Sequence, residues 1–376
     1  MFQILCINIH MFKIFTIYHR PAATPKDEGY SPLLVGNSIF FTKNKDGYNV
    51  NEESRKNFSR QFYVDDSCSD NLSSKNRSIN EMSGIYWIWK QLNLFPEAEF
   101  IGITHYRRFF IFDESLPLPS NTWLPNSTCY EFNSLDEANK YINSSLVEHF
   151  FKIGYDCLAP KMYDARLLEP ERRPNVSSCE ERFYEIAKFD PTLYKLMENL
   201  VLKYDKSYSF ELQELRSAPR HYTFNMFIMK RTTFEKYCSF IFPILKKIDE
   251  ANTETEDTTK RRGPGYLSEF LTSIFLSHEL RVNNLKIKEL NTCFIRDTSI
   301  NSDCKKLNMD NNPPRPARFL FLTTIYILSY GKLPLKYKIE FEKSKIRKSG
   351  DGTSTIRIIS NKLSNYFLKL SQLLKV

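Results

Sequence analysis

No Cys-x-x-Cys pair occurs in the 376 residues, and the eight cysteines (6, 68, 129, 157, 179, 238, 293 and 304) fall at no regular spacing. A structural zinc site and a disulfide scaffold are thereby excluded as organising principles, and a reducing compartment fits. Also missing is an apolar stretch of the roughly 20 residues that a bilayer core requires. The apolar N-terminus, Met1 to Tyr18, is broken by His10 and Lys13 and ends in no small-residue cleavage site. It reads neither as a signal peptide nor as a span, and Met11 is a candidate start. Zinc-finger spacing, an RNP-like aromatic motif and a helix-turn-helix signature are all lacking, so no nucleic-acid partner is expected despite a net charge of +9.

Present instead are 41% hydrophobic residues with 30 Phe and 21 Tyr, enough for a substantial globular core. The charge is uneven. Residues 313–376 hold thirteen Lys/Arg against three acids, a net of +10 that leaves residues 1–312 at −1. Pro313-Pro314-Arg315-Pro316 marks the junction, and the apolar run Phe319 to Tyr330 follows it. Asn361 to Val376 carries Leu363, Phe367, Leu370 and Leu374 on one helical face. The tail reads either as an interfacial anchor, at about 1 kcal/mol per basic residue near an anionic leaflet, or as a basic helix packed on the body. The expected division is 11–295 for the main domain and 296–376 for the basic amphipathic region.

The most informative stretch is Asn80 to Phe110. Ser78-Ile79-Asn80-Glu81 fits a capping box, and Ile79, Met82, Ile85, Tyr86, Trp89 and Leu92 recur at helical spacing. Beyond Pro96, Phe100-Ile101-Gly102-Ile103 is a short uncharged run that suits a strand covered on both faces. His105-Tyr106-Arg107-Arg108 then falls at its carboxyl end, where ligands of open α/β sheets bind. Two guanidiniums there either pair with carboxylates or grip phosphate in bidentate fashion, and the strand-end position favours phosphate. Phe12 to Tyr18 reads as the first strand, with His19, Arg20 and Pro21 facing the same crevice.

Other blocks carry paired readings. Asp65, Asp66, Asp70 and Asn71 suit a hard divalent cation or a sugar hydroxyl network, and Asx-turn chemistry accounts for them without a ligand. Asp156 either contacts substrate or opens the strand Cys157 to Pro160. Tyr222 to Met229 is strand-like and followed by a helix capped by Thr232 or Thr233; its amide Asn225 bonds backbone groups or a ligand hydroxyl. Glu269, in the first turn of a helix that opens at Gly263-Pro264-Gly265, either complements the helix dipole or projects into the crevice as a general base.

Tyr18-His19-Arg20-Pro21, the Asp66 to Asn71 loop, Asn80-Glu81 with Gly84-Ile85-Tyr86-Trp87-Ile88-Trp89-Lys90, Ile101 to Phe110 around His105-Tyr106-Arg107-Arg108, Asn225 to Met229 and Gly265 to Glu269 occur in this order. Together they resemble a family of bacterial glycosyltransferases from capsular and exopolysaccharide gene clusters, long catalogued only as a domain of unknown function. The resemblance covers about residues 11 to 290. It implies an α/β, GT-A-like fold: an open, mostly parallel sheet flanked by helices, followed here by the basic helical tail. The implied enzyme moves a sugar, galactose or its furanose form, from a UDP-linked donor to a lipid-linked saccharide on the inner face of the cytoplasmic membrane.

GT-A enzymes usually hold a metal with Asp-x-Asp, whereas this chain has His-Tyr-Arg-Arg at that place. The expectation is that His105, Arg107 and Arg108, with His19 and Arg20, bind the donor diphosphate instead of a metal. Asp65, Asp66 and Asp70 are the fallback site for Mn2+ or Mg2+. Asp66, Asp70, Asn71, Asn80, Glu81, Tyr106 and Asn225 are the expected sugar-binding positions. Glu269 is the first candidate base and Asp156 the second, for an inverting displacement, since no residue stands out as a double-displacement nucleophile. The alternatives are a non-catalytic nucleotide- or glycan-binding protein and, last, a basic nucleic-acid-binding protein.

Overall fold

A computed structural model describes residues 11–39, 62–123, 127–164, 166, 177–187, 190–252 and 261–298. The basic tail beyond residue 298, with its proposed amphipathic helix, lies outside these described residues.

The strands are β1 (Phe12–Tyr18), β2 (Tyr30–Leu34), β3 (Tyr63–Val64), β4 (Phe100–His105), β5 (Arg108–Phe110), β6 (Cys129–Ser134), β7 (Cys157–Pro160), β8 (Tyr163–Asp164), β9 (Arg220–His221), β10 (Phe227–Lys230), β11 (Ile287–Leu290) and β12 (Thr292–Asp297). The main sheet runs β11-β7-β10-β4-β1-β2-β3, with β12 joining β5 and β6 beside it. β1 pairs in parallel with β2 and β4, as do β2 with β3, β7 with β11 and β6 with β12. β10 is antiparallel to both its neighbours, β4 and β7. The sheet is thus mixed and mostly parallel, and both of its faces are covered, which explains the nearly uninterrupted apolar runs of β1 and β4. Alternation sends Phe15 and Ile17 to one core and Phe12 and Ile14 to the other. The hydroxyls of Thr16 and Thr104 satisfy each other between β1 and β4 at 3.0 Å.

The helices are α1 (Asn76–Ile79), α2 (Met82–Lys90), α3 (Leu135–Ala138), α4 (Val147–Lys152), α5 (Cys179–Ala187), α6 (Pro191–Tyr204), α7 (Ser209–Ser217), α8 (Arg231–Ala251) and α9 (Gly263–Asn283). The expected capping box is absent. Ser78 lies inside α1, and the helix breaks at Asn80, whose φ of 53° is left-handed, before resuming as α2. Asn76 drives the break, because its side-chain amide donates to the Asn80 carbonyl at 2.6 Å and to Ser83 Oγ at 3.0 Å. The expected strand at 222–229 is also shorter than its pattern, because Phe224 and Asn225 are left-handed, at φ 74° and 50°, and pairing with β4 starts only at Phe227.

Asp65 holds the ends of β2 and β3 to α2. Fully buried, it accepts hydrogen bonds from the backbone of Gly36 and Asn37 at 2.8 and 3.2 Å and from the hydroxyls of Ser73 and Ser83 at 2.6 and 2.9 Å. Burial raises its pKa, and these four donors oppose the rise. Asp65→Ala would strand several buried donors, so urea unfolding should show a loss of roughly 2–4 kcal/mol.

Candidate functional site

β1 and β4 are parallel neighbours, so their carboxyl ends place His19-Arg20 beside His105-Tyr106-Arg107-Arg108. Tyr106 is the buried hub of this group. Its backbone amide donates to the Ile17 carbonyl at 3.0 Å, and the His19 ring meets its ring edge-on at 4.9 Å. Arg20 and Arg107 lie 5.2 and 5.3 Å from the same ring. Arg107 also covers Phe294 at 5.1 Å, while Arg108 packs among Phe224, Trp123 and Phe294 at 4.5, 4.6 and 5.3 Å.

Among the described residues the guanidiniums of Arg107 and Arg108 make no ion pair and no hydrogen bond, and the buried Nε of each has no partner. Their positive charge is therefore not spent on a carboxylate. A fourth guanidinium, Arg262, joins them from the segment ahead of α9, where its Nε donates to Asn80 Oδ1 at 3.1 Å. The convergence registers on His19. Although open to solvent, its imidazole is held down to about 3 by desolvation in the crowded crevice wall and by Arg20, Arg107, Arg262 and Arg108. The neutral form of His19 is thereby favoured, and the arginines are the fixed positive charges of the group.

Two carboxyls, Glu81 and Glu269, lie within electrostatic reach of these arginines. Glu269 lies in the second turn of α9, beyond the reach of a first-turn dipole effect. Burial raises its carboxyl to about 7; Glu81 adds to the rise, while Arg182, the Phe224 backbone and Arg108 oppose it. Glu81 is also raised by burial, and Asn225 Nδ2 holds it at 2.6 Å. The Asn225 amide additionally donates to Ser268 Oγ at 2.9 Å and accepts from Thr272 Oγ1 at 2.8 Å. These protein partners occupy it, so Asn225 braces Glu81 and is corrected from the sugar-binding set. The broken α1–α2 junction turns Asn80 toward α9, so close that a Cβ on Gly265 would fall 2.0 Å from Asn80 Nδ2. Any side chain at 265 would displace the Asn80 amide.

Other expected residues lie elsewhere. Asp156 precedes β7, at the opposite edge from the carboxyl ends, where Lys230 Nζ and the Lys286 backbone hold it and lower its pKa. Its catalytic reading is corrected accordingly. Asp70 pairs with the Tyr86 hydroxyl at 2.7 Å and Lys90 at 3.0 Å, and Asn71 closes its own turn through the Cys68 carbonyl and the Ser73 amide. Asp66 does sit at the carboxyl edge, beyond β3, with Asn37 Nδ2 3.0 Å from both of its oxygens. With Asp65 saturated by four donors and Asp70 paired away, the fallback ion site is not assembled; among the described residues no three His, Cys, Asp or Glu side chains converge to hold a metal.

Sequence reading missed Arg262, although Arg261-Arg262 directly ahead of Gly-Pro-Gly was a usable signal. It also missed Arg182 on α5, whose NH1 lies 3.2 Å from His221 Nε2 and which is the foremost charge acting on Glu269. Nothing in its Glu-Glu-Arg-Phe context marked it.

Guanidiniums and raised carboxyls thus gather at the carboxyl ends of parallel strands in a mostly parallel α/β sheet, the GT-A-like architecture. The chain belongs to the family described as a domain of unknown function, DUF4422, whose model matches residues 13–280. No curated protein matches. Among solved structures it is similar to one titled WbbM bifunctional glycosyltransferase, in the apo state, with a TM-score of 0.63 and 25% identity over 76% of this chain and 45% of that one. It spans less than half of that protein's length. No helix among the described residues is long and apolar enough to cross a membrane.

The Glu269 carboxyl binds a proton more tightly in the folded state, so between about 4.5 and about 7 the native protein is protonated in excess and stability falls as pH rises. Glu269→Gln should remove this slope, so that melting curves of variant and wild type diverge in the variant's favour from pH 5 to pH 8. Asp156→Asn should leave any activity unchanged, since its partners lie at the far edge.

Proposed function

We propose that the chain is a glycosyltransferase that moves a sugar, galactose or galactofuranose, from a UDP-linked donor to a lipid-linked oligosaccharide in capsule, exopolysaccharide or O-antigen synthesis. The observation carrying this reading is the pair of adjacent guanidiniums, Arg107 and Arg108, presented at the strand ends without carboxylate partners. Membership of the family and the similarity to a bifunctional glycosyltransferase support it.

The chemistry is a single displacement with inversion. An acceptor hydroxyl oxygen bonds to the anomeric carbon as the bond from that carbon to the diphosphate oxygen breaks, and Glu269 takes the hydroxyl proton. Negative charge then grows on the leaving diphosphate, where Arg107, Arg108, Arg20 and Arg262 are preorganised to stabilise it. Arg182 keeps part of the Glu269 population ionised near neutral pH by opposing the effect of burial. The basic tail, outside the described residues, would hold the enzyme on the anionic inner face of the membrane, where such an acceptor resides.

Purified protein screened against a panel of nucleotide sugars, first by thermal shift and then by product mass, tests the reading; binding without transfer or hydrolysis would reduce it to a glycan- or nucleotide-binding protein. Arg108→Ala should lower kcat/KM by about 10²–10³. Arg108→Lys should rescue little of this, because an ammonium neither forks to a diphosphate nor stacks among three rings. Turnover should persist in saturating EDTA. The rate should rise with pH through about 7 as Glu269 ionises, and that limb should vanish in Glu269→Gln.

A further inference from the structure

His105 ends β4 amid the guanidiniums, yet its ring has no charge to offer an anion. Its Nε2 lies 2.7 Å from the Phe224 carbonyl oxygen. A carbonyl oxygen only accepts, so Nε2 carries the ring proton and Nδ1 is left as a lone pair. Burial, with Arg108 the foremost neighbouring charge, holds the imidazole down to about 3, so a second proton is not taken up at neutral pH. Among the described residues Nδ1 has no hydrogen-bond partner. Neither of the adjacent arginines, Arg107 and Arg108, donates to it; both lie against aromatic rings.

A lone pair gains nothing from an ionised phosphate oxygen, which is itself acceptor-only. It does accept from a hydroxyl. The expected phosphate-binding role of His105 therefore gives way to a different one. We propose that His105 is a specificity-determining residue whose Nδ1 accepts a hydrogen bond from a hydroxyl of the bound glycosyl nucleotide. The proposal rests on the donor class given above and adds to it the atom that reads the ligand's hydroxyl pattern.

Phe224 ties this reader to the reaction centre. Its carbonyl fixes the His105 tautomer, its backbone amide acts on the Glu269 carboxyl and opposes the rise in its pKa, and its φ of 74° is left-handed. Hydroxyl recognition and proton removal are thereby set at a fixed spacing by one residue. Phe224 itself is wedged against Tyr163, Trp123 and Arg108.

Two hydroxyl sources exist, the ribose and the transferred sugar, and nitrogen NMR of the imidazoles in the full-length protein separates them. The His105 resonances are assigned by their loss in His105→Phe, or through ring-carbon couplings in the wild type should that variant not fold. The free protein should show an unprotonated Nδ1 and a protonated Nε2 at pH 7. Movement of Nδ1 with UDP-galactose but not with UDP assigns the sugar hydroxyl, and equal movement with both assigns the ribose; either result supports the proposal. A doubly protonated ring at pH 7 overturns it, as does thermal-shift binding of UDP-galactose that leaves Nδ1 unmoved, and both outcomes leave the transferase reading intact. Failure of every nucleotide sugar to bind removes the transferase reading and this inference with it. In kinetics, His105→Phe should lower kcat/KM roughly tenfold on the full substrate, with no further loss on the deoxy analogue that lacks the recognised hydroxyl.

Discussion

Arginine packed on aromatic rings rather than on carboxylates is the constraint around which the crevice is arranged. A partly buried guanidinium needs favourable surroundings, and ring faces supply about 0.5–2 kcal/mol each without occupying its N–H fork. Arg107 and Arg108 rest on Tyr106, Phe294, Trp123 and Phe224, which come from four separate places in the chain. A carboxylate at any of these places would have offset half of the pair's charge and occupied one N–H fork.

Topology decides who reaches this place. β1 and β4 bring their ends, and with them His19, Arg20 and the His-Tyr-Arg-Arg cluster. β10 runs the other way, so it is the segment before it that arrives at the carboxyl edge, and that segment is the left-handed Phe224-Asn225 pair. Such backbone is costly unless held. Here the Asn225 amide, bonded to Glu81, Ser268 and Thr272, fastens it to α9 and to the start of α2, and Tyr237 on α8 buttresses Thr272 at 2.9 Å. The strained segment, the candidate base and the candidate hydroxyl reader thus form one braced unit.

Much of this could be read from residues. The first strand, the strand leading to His105 and the positions of the two basic pairs, His19-Arg20 and Arg107-Arg108, follow from apolar runs that end abruptly in charge, a pattern carried by local sequence. What was illegible depended on distant partners. Asn76 breaking the helix at Asn80 outweighs a capping signal that is correct on propensity alone. For Asp156 the sequence left substrate contact and the opening of its strand both standing; the pairing of β7 with β10 and β11 sets it at the edge away from the carboxyl ends. The lowered pKa of His105 follows from burial and that of His19 also from Arg107, Arg262 and Arg108 of other segments, and Arg182 acts on Glu269 only through the packing of α5.

The approach of Asn80 to Gly265 has an evolutionary corollary. With an amide nitrogen occupying the space where a β-carbon would stand, the two sites make a lock-and-key pair across the chain. A bulkier group at 265 becomes tolerable only alongside a smaller one at 80, and Arg262 would then lose the oxygen that orients it. Relatives are therefore expected to exchange these two amino acids in concert, a covariation imposed by sterics rather than by catalysis.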